Sequence, residues 1–188
     1  MNRDTKPEEG KLINLRVPVI EEDCIRLSDW TLDSEWDRLL MAEPARPISI
    51  EDQHRWLEQM MKKDEVFIIE RKDNQEPIGE IHISDIDPLS GNGNISVSLI
   101  RRCWDKGYGG EAIRLMMGYA FSDPRLSRLS LTVFAYNTRA IHVYQKAGFK
   151  MEGKQRKAIN RDGRRWDLIY MGILKREWIT LQHRNINA

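Results

Sequence analysis

Two repeating patterns of apolar positions run through the chain, one with the period of a helix and one with that of a strand. Trp36, Leu39 and Leu40 in "DSEWDRLLMAE", and Trp56, Leu57, Met60 and Met61 in "SIEDQHRWLEQMMKK", recur at helical spacing and predict two helices. Ser49 lies three residues before Asp52, a loose capping pair at the start of the second. "EVFIIER" and "PIGEIHISDI" predict consecutive strands joined by the turn "KDNQEP". "NISVSLI" (Asn94–Ile100) predicts a third, after the loop "PLSGNGN", and "DCIRLSDWT" (Asp23–Thr31) also has strand character. An amphipathic run follows the glycines of "RRCWDKGYGGEA" to about Ser122. "RLSLTVF" (Arg128–Phe134) alternates with period two, placing Leu129, Leu131 and Val133 on one face. "NTRAIHVYQKAG" predicts a helix with Asn137 as N-cap and Gly148 as its stop. Two last strands flank "NRDG", whose Asp162-Gly163 is a hairpin turn. The order β-α-α-β-β-β-α-β-α-β-β is that of an α/β protein with a mixed sheet. The unit from Asn94 to Phe134 predicts a right-handed crossover between parallel strands.

Composition narrows the class. The 188 residues are 40% apolar and 31% charged with a net charge of +1, the profile of one soluble globular domain. No apolar run approaches the ~18 residues of a membrane span. "MNRDTKPEEGK" has no hydrophobic stretch of the signal-peptide kind; it predicts a short disordered tail over residues 1–12, ahead of a single domain over 13–188. Cys24 and Cys103 have no metal or redox spacing, which with the lack of an export signal points to free thiols in the cytoplasm. His54, His82, His142 and His183 show no metal spacing either, so no metal site is predicted.

Charge is balanced overall but not along the chain: residues 1–99 carry 12 Lys/Arg against 22 Asp/Glu, and residues 100–188 carry 18 against 7. Either two ligands of opposite charge or mutual attraction between solvated faces accounts for this. The basic run Lys154–Arg165 lies on the predicted hairpin without an interleaved aromatic until Trp166, so it reads as a solvated face and argues against nucleic acid.

The glycines at 107, 109 and 110 raise the sharpest chemical question. A Gly-Lys-Ser/Thr phosphate loop is absent. The letters Gly107-x-Gly109-x-x-Ala112 fit a dinucleotide fingerprint, but no strand ends at the first glycine and no acid closes the strand after the helix. What remains is general: a helix N-terminus leaves about four backbone N–H groups unpaired, and glycines ahead of it let phosphate oxygens reach them. Arg101, Arg102 and Lys106 add positive charge nearby, so the segment is built for a pyrophosphate or a similar anion.

"SLIRRCWDKGYGGEA", a strand, and then "NTRAIHVYQKAGF" together resemble the GNAT (Gcn5-related N-acetyltransferase) superfamily. The matches are a loop of the form Q/R-x-x-G-x-G/A opening a helix (Trp104 to Gly109) and the ordered set Asn137, Ala140, Tyr144, Lys146, Gly148 and Phe149. The tail "MEGKQRKAINRDGRRWDLIYMGILKREW" resembles the branch of ribosomal-protein N-terminal and spermidine acetyltransferases, and the likeness covers roughly residues 13–178.

The resemblance implies a mixed, mostly antiparallel sheet with a central splayed parallel pair, "NISVSLI" and "RLSLTVF", flanked by helices. It implies acetyl-CoA as cosubstrate: backbone at Leu99, Ile100 and Arg101 beside the pantetheine arm, N–H groups of Asp105, Lys106, Gly107, Tyr108, Gly109 and Gly110 on the pyrophosphate, and Asn137 and Lys146 in the same set. Tyr144 matches the position that protonates the departing thiolate. Thiols ionise near 8.5 and tyrosine near 10, so a hydrogen bond to developing sulfur charge is the more modest role. Two departures stand out: Trp104 replaces the usual Gln or Arg, and Asn94 replaces the usual base glutamate, with Glu80 and Asp85 on the preceding strand as substitutes. The implied reaction is direct attack by a primary amine. The acidic Asp33, Glu35, Asp37, Glu51 and Asp52 favour a cationic acceptor: a peptide N-terminus, a polyamine or an amino sugar. Asn94 also keeps open a non-catalytic CoA-binding or interaction module. The acceptor and the oligomeric state, a homodimer among the options, rest on surfaces with no transferable motif.

Overall fold

The computed structural model describes residues 9–42 and 47–186. After the strand β1 (Ile13–Arg16) come three helices, α1 (Ile20–Trp30), α2 (Ser34–Leu40) and α3 (Ile50–Lys63). The strands β2 (Glu65–Arg71), β3 (Pro77–Asp87) and β4 (Asn92–Leu99) follow, then α4 (Tyr108–Ser122), β5 (Arg128–Phe134) and α5 (Thr138–Lys146). The hairpin β6 (Lys150–Arg161) and β7 (Arg164–Leu174) leads into α6 (Lys175–Ile186). All seven strands form one sheet in the order β1-β2-β3-β4-β5-β7-β6, antiparallel throughout except for β4 and β5. The mixed sheet and its parallel central pair are those the sequence predicts.

Alternation along the strands divides two layers. Phe67, Ile69, Ile81, Ile83 and Ile95 point into the main core with Ile113, Met116, Met117 and Ala120 of α4. Val66, on the other face, packs with Leu27 of α1 and Leu57 of α3. Because cross-strand partners share a face, Glu80 (opposite Ile68) and His82 (opposite Val66) also lie on the α1/α3 side.

The segment Asp23–Thr31 is helix, not strand. Cys24, Leu27 and Thr31 are buried at helical spacing, while Ile25, which lent the stretch its strand character, is 46% exposed. Asp23 fixes the start of α1: its carboxylate accepts from the Val19 N–H at 2.8 Å and from both ends of the Arg16 guanidinium at 2.7 and 2.9 Å.

Residues 1–8 of the predicted tail lie outside the described residues, whereas its last two are tied down. Glu111, in the first turn of α4, accepts from the N–H groups of Lys11, Leu12 and Ile13 at 2.6, 2.8 and 3.1 Å. A carboxylate there suits the positive end of the helix, and both of its oxygens are engaged by the chain itself.

Candidate active site

β4 and β5 are paired at only three positions, Asn92–Arg128, Gly93–Leu129 and Asn94–Ser130. Beyond them the strands diverge, and a cavity of about 430 Å³ lies between, lined by Ile95 to Leu99 on one side and Leu131 to Phe134 on the other. Asn94 is the staple at the fork. Its carbonyl accepts from Ser130 Oγ at 2.6 Å, and its amide donates to Asp85 Oδ2 at 2.9 Å. A side chain that both donates and accepts fits this bridge as a carboxylate does not, which accounts for an asparagine where a base glutamate is usual.

The glycine segment closes one end of the cavity. Gly107 takes a left-handed conformation, φ +87°, which L side chains avoid. The other two glycines have no such backbone reason. A Cβ on Gly109 would meet only Leu99 Cδ1 at 3.4 Å, and one on Gly110 would meet nothing within 4 Å. Their bareness is therefore not demanded by the protein's own packing. Among the described residues, the N–H groups of Asp105 through Gly110 make no hydrogen bond, so a row of donors faces open space at the positive end of a 15-residue helix. Unpaired donors and bare glycines at a helix N-terminus are chemically suited to an anion and fit the diphosphate of coenzyme A.

The neighbouring charges are arranged differently from the sequence expectation. Arg101 is held by Asp33 at 2.6 and 3.0 Å, and Arg102 by Glu76 at 2.5 Å. Lys106 is exposed. Trp104 donates its indole N–H to the Leu99 carbonyl at 2.7 Å, and the Arg139 guanidinium stacks on its ring at 4.0 Å while reaching Asp105 at 3.3 Å. The aromatic ring thus carries an arginine from the start of α5 to the edge of this row of donors. Nothing in the residue spacing linked positions 104 and 139.

Asn137 caps α5 by accepting from the Ala140 N–H at 3.1 Å, and it also lines the cavity. Tyr144 lines it too; its side chain is 7% exposed, and burial pushes its phenol up to about 12. Leu99 and Gly109 complete the predicted residues found on the cavity wall. Ile100 is buried, its N–H donating to Ile78, and Tyr108 packs partly buried against the core. Lys146 is exposed at the end of α5 and is not among the lining residues.

The opposite end is walled by Trp36, Leu39 and Leu40 of α2 with Phe134 and Leu168, and it contains Ser84, Asp85, Asn94, Ser96 and Ser98. The acids proposed for a cationic acceptor do not line it. Asp33 is bound to Arg101, Asp52 to Arg55 and Ser49, and Glu35 lies 3.8 Å from Arg38. Asp37 is buried, which raises its carboxyl above the ordinary value, and Glu51 is exposed on α3.

Behind this end sits a buried polar patch. Burial raises Glu80 to about 7, and the Ser98 hydroxyl opposes that shift from the facing strand although its Oγ completes no hydrogen bond. Burial lowers His82 to about 4. Glu80 Oε2 and His82 Nδ1 are 3.9 Å apart, and neither has a hydrogen-bond partner.

Comparison with known proteins completes the description. A sheet opened at its parallel pair, with free N–H donors at the mouth and a buried tyrosine inside, is the architecture of a transferase that takes its group from a CoA thioester. Residues 13–150 match the model described as "Acetyltransferase (GNAT) domain", and the chain belongs to that family. It is an acetyl-CoA-dependent N-acetyltransferase. It is 27% identical over 165 residues, 88% of this chain and 92% of the relative, to an uncharacterized SPbeta prophage-derived N-acetyltransferase, YokL, of Bacillus subtilis. It is 27% identical over 104 residues to the spermidine N(1)-acetyltransferase of Escherichia coli, 55% of this chain and 56% of that one. The spermidine N-acetyltransferase of Vibrio cholerae, solved with CoA and spermine, superposes with a TM-score of 0.81 over 90% of this chain and 99% of its own, at 19% identity, a likeness of fold. No helix among the described residues is long and apolar enough to cross a membrane.

The Glu80–His82 patch has a signature in stability. From pH 4.5 to 6.5 the unfolded chain holds an ionised Glu80 and a protonated His82, and the folded chain holds both neutral: one proton either way. The raised Glu80 alone stabilises below 4.5, an advantage lost as pH rises through about 7. The lowered His82 alone stabilises above 6.5, an advantage lost as pH falls through about 4. In the wild type the two oppose each other. Urea titrations of His82→Asn are expected to show stability falling from pH 4.5 to 7, and those of Glu80→Gln the reverse slope below 6.5, each on the order of 3 kcal/mol.

Proposed function

We propose that the enzyme acetylates a singly charged primary amine carried on an apolar group, such as the amino terminus of a peptide or an amino acid, by direct attack on the thioester. The observation that carries this is the acceptor end of the cavity: among the described residues Asp85 is its one lining carboxylate, beside Ser84 and Asn94, and Trp36, Leu39, Leu40, Phe134 and Leu168 wall the same end. Asp85 takes part in no ion pair among the described residues and accepts only from Asn94 and, at 3.5 Å, Ser84. A single anion facing an apolar wall matches one ammonium beside one apolar side chain, and a polyamine would leave its further charges against tryptophan and leucine. Names of relatives that act on spermidine widen the set of amines to test but do not outweigh this chemistry.

In this reading the donors of Asp105 through Gly110, with Lys106 and Arg139, hold the diphosphate. The β4 backbone at Leu99 to Arg101 runs beside the pantetheine arm, and Asn137 contacts it from the start of α5. Coenzyme A supplies the activated acetyl group as a thioester. Tyr144 acts as a neutral donor. With its phenol at about 12 and a thiol near 8.5, it gives a hydrogen bond to the sulfur rather than driving full proton transfer. Asp85 steers the ammonium and orients Asn94.

Four outcomes are expected. In an assay of released CoA, leucinamide and short peptides with an apolar first residue should be acetylated with kcat/KM well above that of spermidine. Asp85→Asn should raise the amine KM about tenfold or more while changing kcat little; a preference for spermidine would overturn the acceptor class. Gly110→Ala should keep or raise stability by about 0.5–1 kcal/mol, yet reduce the thermal shift given by acetyl-CoA. That shift is ~2.7 kcal/mol at about 100 times Kd for an unhindered site. Tyr144→Phe should lower kcat by about 10- to 100-fold with acetyl transfer rate-limiting; unchanged kcat removes the tyrosine from the reaction.

A further inference from the structure

Three polar atoms on the α1/α3 face of the sheet are buried without partners: Glu80 Oε2, His82 Nδ1 and Ser98 Oγ. They form one patch. Glu80 and Ser98 are opposite each other across β3 and β4, and His82 stands two residues along from Glu80, on the same face. Around them the sheet uses Val66 and Ile68 at the equivalent positions of β2, residues that leave nothing unsatisfied. Buried polar groups left unpaired cost stability, and this patch has no capping, bridging or packing duty that would require a carboxyl. Ser98 belongs to two sites at once: it is the facing residue of Glu80 and part of the cavity wall, with Ser96 beside it.

We infer that Glu80, acting through Ser98, is the proton acceptor for the amine in this enzyme, one strand removed from the position that Asn94 occupies. The inference rests on the direct-attack reading above. The step balances as follows. The ammonium first loses one proton to solvent, and the Ser98 hydroxyl, which has no hydrogen-bond partner among the described residues, turns to bridge the amine and Glu80. As the amine nitrogen then bonds to the acetyl carbon and the carbon–sulfur bond breaks, the nitrogen gives its second proton to Ser98 Oγ. The hydroxyl proton of Ser98 moves on to Glu80 Oε2, leaving a serine hydroxyl and a carboxylic acid. The thiolate takes its proton from solvent, and Glu80 later returns its own to solvent. In this scheme Ser98 touches the amine and is a catalytic residue, Glu80 accepts the proton through it, and neither touches the thioester.

The charged groups around the patch do not compete for the role. Arg16 of β1 is matched by Asp23 of α1 and Glu70 of β2, and Arg26 of α1 by Glu22 and Asp23. On α3, Glu58 is paired with Lys62 and Arg55 with Asp52, and Arg101 after β4 is paired with Asp33. Asp64, after α3, is raised by burial and by Asp85, and Asp85 in turn acts on His82. Only burial and Ser98 set the Glu80 carboxyl, which ionises at about 7, where a base at neutral pH is best placed. His82 remains neutral there, its Nδ1 3.9 Å from Oε2, and so adds no charge beside the carboxyl.

The test is the pH dependence of kcat/KM for leucinamide in the wild type, Glu80→Gln and Ser98→Ala, with the acetyl-CoA thermal shift as the check on fold and cosubstrate binding. The wild type should show an acidic limb near pH 7. Glu80→Gln should lose that limb and about 100-fold or more in kcat/KM at pH 7, and Ser98→Ala should lose a similar factor, both with the thermal shift intact. A Glu80→Gln variant that keeps the limb and stays within threefold of wild type overturns the inference. So does an intact limb in Ser98→Ala, should the glutamine variant fail to fold. If the wild type turns over spermidine but not leucinamide, the acceptor class fails and the same profiles are read with spermidine. If it turns over neither, the direct-attack reading fails and the difference infrared spectrum decides. A carboxylic-acid band at pH 6 that Glu80→Gln removes upholds the buried acceptor, and its absence overturns it.

Discussion

β4 and β5 are joined over three residue pairs and then part, and most of the molecule can be understood as a consequence. A parallel pair in the middle of a sheet has its hydrogen bonds satisfied by its neighbours on both sides. Opening it leaves main-chain groups facing each other across a gap that only an extended ligand with its own amide groups can bridge. The opening is fixed at its base by Asn94, which ties β3, β4 and β5 together through Asp85 and Ser130. It is fixed at its mouth by the short turn after β4, where Trp104 reaches back to the Leu99 carbonyl. The helix that follows begins where the gap ends, so the donors of its first turn stand next to the end of β4.

The acceptor wall is positioned by a second set of contacts, made between parts of the chain far apart in sequence. α2 is pinned at its start by Asp33 to Arg101, and along its length by Arg38 to Asp162 at the tip of the β6–β7 hairpin. Tyr136 donates to the Arg38 carbonyl and lies under its guanidinium at 4.7 Å, while Trp166 packs edge-on against Tyr136. The ion pairs alone are worth little at an exposed surface. Together with the stacked rings they fix where Trp36, Leu39 and Leu40 stand relative to the strand that carries the reaction. Asp33–Arg101 joins the acidic half of the chain to the basic half while Arg38–Asp162 runs the other way, so α2 is held by local pairing and not by the charge asymmetry as a whole.

Much of this was legible in the sequence. The glycine segment and the Asn137–Phe149 run marked the family, and period-two stretches located β2 to β5 closely. Two kinds of information were not legible. Asp23–Thr31 has the apolar content of a strand, yet most of it lies in α1; only burial separates the exposed Ile25 from the buried Cys24 and Leu27. "GEIHIS" shows the alternation of a strand with one wet face, yet α1 and α3 cover that face and convert an ordinary glutamate and histidine into a buried pair. Residue spacing encodes which face a side chain is on. It does not encode what will be laid over that face from elsewhere, and for the same reason the Trp104–Arg139 stack was not foreseeable.

The opened pair also places an unusual hazard. Sheets ordinarily present unpaired edges at their two rims, and here β1 and β6 occupy those positions. The fork adds two more edges at the centre, on strands whose inward side chains are leucine, isoleucine, valine and phenylalanine. A bound cosubstrate would act as a missing rung, covering both edges at once. The form of this protein most exposed to strand-to-strand self-association is therefore the one without its cosubstrate, and the vulnerable place is the middle of the sheet, not its margin.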